Sequence, residues 1–148
     1  MNSACHQIDP PENTQLDIKQ ITQYWEVEAQ EALQVADHLF EKQDFSYALF
    51  FGHLAIEKLL KALYVHQHRT HAPLLHNLHR LATLAQIELT TPRSDALILI
   101  TSFNIQARYP DEQRTFRAKC TREYTEQQLK TIKEIFIWLK SQLPSATV

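Results

Sequence analysis

Glycine is almost missing from this chain: Gly52 is the sole example among 148 residues. Tight hairpin turns and the loops that cradle phosphates depend on glycine, and six prolines cannot replace it. A many-stranded sheet and the Walker and dinucleotide folds are therefore excluded. Cysteine is scarce too. Cys5 and Cys120 lie far apart without C-x-x-C spacing, which reads as ordinary reduced thiols of a cytosolic protein. Charge of one sign is also lacking, since 15 basic and 17 acidic side chains give a net charge of -2. The chain as a whole is thus no electrostatic binder of nucleic acid, and only a local patch could be one. The opening MNSACHQIDPPENT has neither a basic start nor an apolar stretch, so it reads as neither signal peptide nor membrane anchor but as a flexible tail.

What is present is globular, with hydrophobic residues at 44% and charged residues at 22%. A chain of this length buries roughly 70% of its unfolded surface, enough for one core without disulfide staples. Ile18, Ile21, Trp25, Ala29, Ala32, Ala36 and Leu39 step by three and four, which predicts an amphipathic helix from about Asp17 to Glu41. After a polar break at Lys42 to Asp44, FSYALFFGHLAIEKLLKALYV is apolar nearly all round, the pattern of a helix packed on several sides. Its polar exceptions, His53, Glu57 and Lys61, recur every four residues and are expected to form a solvated stripe. Glycine inside such a helix costs roughly 1 kcal/mol relative to alanine, so Gly52 implies the close approach of another helix.

HQHRTHAP then predicts a loop. Leu75, Leu78, Leu81, Ala82 and Ala85 mark a short third helix, and Thr91-Pro92 opens a fourth that Pro110 should end. Leu129, Ile132, Phe136, Leu139 and Leu143 give a last helix starting near Thr121 or Glu123. The expected domain spans residues 16–143, between a flexible tail at 1–15 and a short one at 144–148.

Two groups of residues carry chemistry. His66, His68, His71, His76 and His79 crowd one region, but no cysteine is near and no zinc-binding helix motif is present, so no metal and no cofactor is expected. Arg108, Arg114, Arg117, Lys119 and Arg122 surround Tyr109 and Phe116, a mixture that suits phosphate contact and base stacking. Asp111, Glu112 and Glu123 dilute that charge, and a merely solvated connection fits the segment equally well.

The run YALFFGHLAIEKLLKALYVHQH from Tyr47, His76-Asn77-Leu78, and Ala107-Arg108-Tyr109-Pro110-Asp111 resemble the HEPN family of small helical proteins from bacteria and archaea. The likeness covers roughly Tyr24 to Leu143, with Ala55, Glu57, Lys58 and Lys61 as its Ala-x-Glu-Lys-x-x-Lys core. The resemblance implies an all-α, up-and-down bundle of four to five helices that pairs as a homodimer, and the cysteine usage a cytoplasmic location. It also implies a minimal nucleotidyltransferase as partner in a toxin and antitoxin module. Nuclease members of the family carry an arginine followed a few residues later by a histidine; here Arg108 matches the arginine, but no histidine follows His79. That departure leans against an enzyme and toward a homodimer that binds nucleotide, RNA or the partner protein. Arg108, Tyr109 and Asp111 would line its groove, with Lys58 and Lys61 as further contacts. A metal-independent RNase acting through Arg108 and a displaced His76 is the alternative, and a helical interaction scaffold is another. Tyr109 would be the residue that accepts an adenylyl group from the partner.

Overall fold

A computed structural model describes residues 16–144; the expected N-terminal tail with Cys5, and residues 145–148, lie outside the described part. The described residues form six α-helices and no strand: α1 (Ile18–Glu41), α2 (Phe45–His68), α3 (Leu78–Leu84), α4 (Thr91–Arg108), α5 (Pro110–Lys119) and α6 (Arg122–Lys140).

Side-chain caps start four of these helices. Asp17 accepts from the Gln20 N–H at 3.0 Å, Asn77 from Arg80 at 3.0 Å, Thr90 from Arg93 at 3.4 Å and Thr121 from Tyr124 at 3.1 Å. Each such cap offsets an orphaned donor at a helix end, typically by ~1 kcal/mol. The helix ends show the shortage of glycine. Gln43, Arg69 and Gln86 adopt left-handed φ values of 65°, 59° and 62° where glycine is the usual residue. After α1 the Asp44 N–H reaches the Leu39 carbonyl and the Gln43 N–H that of Phe40; Ile87 and Gln86 repeat the pattern after α3. Those paired bonds hold the turns despite the strain of a side chain there.

Helix α2 is the axis of the fold and touches all five other helices, which is why its sequence is apolar nearly all round. Leu49, Ile56, Leu59 and Leu60 are fully buried, as are Ile132 and Leu139 of α6. The three-residue turn at residues 42–44 folds α1 back against α2 as an antiparallel hairpin, with Ala29, Ala32 and Ala36 buried between them.

Three expectations need correction. Helix α2 runs on to His68, so HQHRTHAP contributes its first three residues to a helix. Leu75 precedes α3 rather than belonging to it. Pro110 ends α4 but also starts α5, a short helix that the sequence reading did not give and that brings the helices of the described residues to six. Proline at the first helical position forfeits no hydrogen bond, and Asp111 and Glu112 at the start with Arg117 and Lys119 at the end match the helix dipole. Phe116, 1% exposed, stacks on Phe103 with ring centroids 5.7 Å apart and fixes α5 to α4.

Gly52 faces α6: a Cβ there would lie 2.7 Å from Cδ1 of Ile132 and 3.5 Å from Cδ2 of Leu129. The close approach is internal, so Gly52 supplies no reason to invoke a second copy of the chain. We predict that Gly52→Val destabilises by roughly 2 kcal/mol or more through overpacking. Adding Ile132→Val, which removes Cδ1, should restore part of that loss in urea unfolding; strictly additive effects would contradict the contact.

Candidate functional site

The stripe of His53, Glu57 and Lys61 is not solvated. These residues are 0%, 5% and 6% exposed, because α1 and the segment between α2 and α3 cover them. A buried carboxylate must be paired, and Glu57 is paired from two sides. Lys61 Nζ donates to Oε2 at 3.0 Å, and His76 Nδ1 lies 3.1 Å from Oε1 and 3.2 Å from Oε2. Lys61 also sits over the Trp25 ring of α1, 5.4 Å from its centroid, a favourable place for a desolvated ammonium.

His53 completes the cluster. Its Nε2 lies 3.0 Å from the His76 carbonyl oxygen; that oxygen only accepts, so Nε2 carries the proton. Nδ1 is buried without a partner, as a neutral ring permits. Burial lowers the His53 pKa below its ordinary 6.5, opposed by the His76 carbonyl and by Glu57, with His76 and Arg108 adding to the lowering. His76 therefore adjoins His53 through its carbonyl, and the charge of Arg108 on α4 acts on the same ring from further off.

His76 itself stands between solvent and core, its side chain 61% exposed while the carboxylate that holds it is 6% exposed. With Nδ1 engaged by Glu57, Nε2 has no partner among the described residues. That is the geometry of a base and its orienting group.

Arg108, Tyr109 and Asp111 form a separate corner where α4 meets α5. Arg108 lies in the last turn of α4, where its charge suits the dipole, and its Nε donates to the Asn104 carbonyl at 3.2 Å. Its guanidinium is 5.8 Å from the Tyr109 ring centroid. Tyr109 is 53% exposed, and Asp111 occupies the first turn of α5. Lys58 stands apart, paired with Glu28 of α1 at 2.8 Å. Lys61 is committed to Glu57 inside the bundle, so it lies beneath the surface that a phosphate could reach.

Sequence reasoning missed Glu57 and His53 as site residues. The i,i+4 order of Glu57 and Lys61 was visible, but what covers them was not. Among the described residues no group of three or more His, Cys, Asp or Glu side chains is arranged to hold a metal ion, and the five histidines divide among α2, α3 and the segment between them. No helix among the described residues is long and apolar enough to cross a membrane.

A family model described as HEPN domain matches residues 22–142. The crystal structure of TT1696 from Thermus thermophilus superposes with a TM-score of 0.71, covering 82% of this chain and 98% of that one at 21% identity. Among curated proteins nothing matches.

The neutral state of His53 has a pH consequence. With its pKa lowered in the folded protein, the unfolded chain binds more protons below the ordinary value of 6.5, so stability falls as pH drops through that point. We predict a loss of stability between about pH 7.5 and about pH 5.5 in urea unfolding. His53→Gln, which keeps a donor for the His76 carbonyl but does not titrate, should lose less over the same interval.

Proposed function

The chain belongs to the HEPN domain family, and on that premise we propose that it is the HEPN component of a module with a minimal nucleotidyltransferase, acting as a homodimer that binds nucleotide or RNA and its partner. The observation that carries this reading is the exposed corner of Arg108, Tyr109 and Asp111 at the end of an uncovered apolar stripe on α4. Ile98 and Ile105, 57% and 44% exposed, lie on the same side of α4 as Tyr109, spaced by seven and four residues. A second copy packed on that stripe buries it and sets both corners along the seam, since a two-fold interface presents the same surface from each side. The guanidinium then meets phosphate by charge-assisted bonds while the phenol ring offers a stacking face.

The exposed phenol also fits an acceptor role. Its oxygen attacks the α-phosphorus of ATP held by the transferase, the bond to pyrophosphate breaks, and the phenolic proton passes to water. Arg108 is placed to neutralise the incoming phosphate.

A single set of variants tests the reading. Sedimentation equilibrium at micromolar concentration should give twice the mass of one chain, and Ile98→Glu with Ile105→Glu should return it to one. Arg108→Ala should weaken RNA binding roughly tenfold, the worth of a charge-assisted hydrogen bond, and Tyr109→Phe should abolish AMP addition in intact mass spectrometry with transferase, ATP and magnesium. A monomeric wild type that binds no RNA would overturn the proposal.

The exposed imidazole of His76, held by Glu57 at 3.1 Å, supports RNA cleavage as a second reading. A base for the 2′-hydroxyl and a cation for the phosphorane are what metal-independent cleavage needs. On the leading proposal, tRNA and mRNA stay intact over hours in the presence of chelator. Cleavage that is lost in both His76→Ala and Arg108→Ala would put the second reading in its place.

A further inference from the structure

The N-terminus of α2 is uncapped. Asp44 occupies the capping position, but its side chain makes no capping hydrogen bond. The first N–H of this end with a backbone acceptor is that of Ala48, bonded to the Asp44 carbonyl at 2.9 Å. The N–H groups of Phe45, Ser46 and Tyr47 have no acceptor among the described residues, although α2 is 24 residues long and ends its dipole there.

A pocket of about 360 Å³ opens at this end, lined by Asp44, Ser46, Tyr47, Arg117 and Cys120 among others. Ser46 is 8% exposed, and its hydroxyl makes no hydrogen bond among the described residues. Its oxygen is not sealed from solvent, so the hydroxyl is free to donate to a ligand in place of water. Arg117 reaches across from α5, donating to the Tyr47 hydroxyl at 3.3 Å with its guanidinium 5.8 Å from that ring's centroid. Arg122 adds a second positive charge, 5.5 Å from the centroid of the Phe45 ring. Burial pushes the Cys120 thiol up to about 11, so it stays neutral and forms a wall of the pocket.

We propose that this pocket binds a phosphate group, the 5′-phosphate of a mononucleotide or of an RNA end. Three backbone donors, the Ser46 hydroxyl and the Arg117 guanidinium surround one small volume, and all are donors that a phosphate's oxygens accept from. The exposed Tyr47 ring beside them gives an attached base a face to stack on. Asp44 opposes the anion, because its carboxylate stands at the same helix end. That opposition separates this site from a diffuse basic surface: removing the Asp44 charge should tighten binding at this helix end, with the bound anion reported by these three amides.

The test is titration of the full chain with inorganic phosphate, adenosine 5′-monophosphate, adenosine, and an RNA hexamer with or without a 5′-phosphate, read by amide NMR shifts and calorimetry. The phosphates should shift the Phe45, Ser46 and Tyr47 amides, and adenosine should not. Arg117→Met should weaken binding roughly tenfold and Ser46→Ala a few-fold, while Asp44→Asn should strengthen it a few-fold. A preference of the protein for the phosphorylated hexamer over adenosine 5′-monophosphate assigns the site to RNA ends, and the reverse preference assigns it to free nucleotide. Arg108→Ala should leave the three amide shifts intact, so this site and the corner at α4 stand or fall separately. Absent shifts at saturating phosphate, or binding indifferent to both Arg117→Met and Asp44→Asn, would overturn the proposal.

Discussion

A charged carboxylate at Glu57, 5% exposed at the centre of the bundle, governs the arrangement around it. Removing one partner from a buried ion pair typically costs ~3–5 kcal/mol, because the charge left behind has no water to turn to. Glu57 therefore requires both Lys61 from its own helix and His76 from the segment after α2. That second requirement is what pins residues 69–77 across the face of α2. Asn77 is consequently placed to cap α3, and the Leu78 N–H meets the Thr101 hydroxyl of α4 at 3.0 Å. One buried charge thus positions a connection, a helix start and the contact between α3 and α4. The same pairing presents the His76 ring to solvent in a fixed orientation, which joins the polar core to the surface.

Packing sets the second constraint. Helix α2 touches every other described helix, so each of its faces must match a different neighbour, and at Gly52 α6 comes too close for a Cβ. A larger residue there would hold α6 away from the axis and open the contacts of Ile132 and Leu139, both fully buried. The helix-propensity cost of glycine is therefore offset by packing on its bare face. The absence of glycine elsewhere follows a different logic. Gln43, Arg69 and Gln86 bear left-handed strain at helix ends, while the single glycine sits where spacing, not backbone conformation, excludes a side chain.

The helices themselves were legible because apolar spacing and capping residues are local. Asp17, Thr91-Pro92 and Thr121 announce starts that the structure keeps, and the all-round apolarity of α2 announces a helix with neighbours on every side. The Glu57 cluster was not legible in the same way. A polar residue every fourth position produces the same pattern whether water or another segment lies over it, and only the path of residues 69–77 decides between them. Helix α5 was hidden because proline is both a terminator and a first residue. Its single buried anchor, Phe116, gives no periodicity to read. Of the proposed site residues, Tyr109 is exposed and Arg108 adjoins its ring where α4 meets α5. His76 entered only as a displaced substitute for the missing family histidine, and the sequence did not show that Glu57 holds its ring.

Net charge closes the connection between composition and binding. At -2 overall, the chain exerts no long-range pull on RNA, so affinity on the proposed function comes from short-range contacts at a few cations. Lys58 and Lys61 are already paired with Glu28 and Glu57, which leaves the arginines of α4 and α5 to meet phosphate. Each neutralised phosphate contributes close to one unit to the salt slope of binding. A surface that neutralises only a few phosphates is therefore weakly dependent on salt and selective through geometry: the placement of guanidinium forks, a stacking ring and helix-end donors decides which phosphate is held, rather than how many.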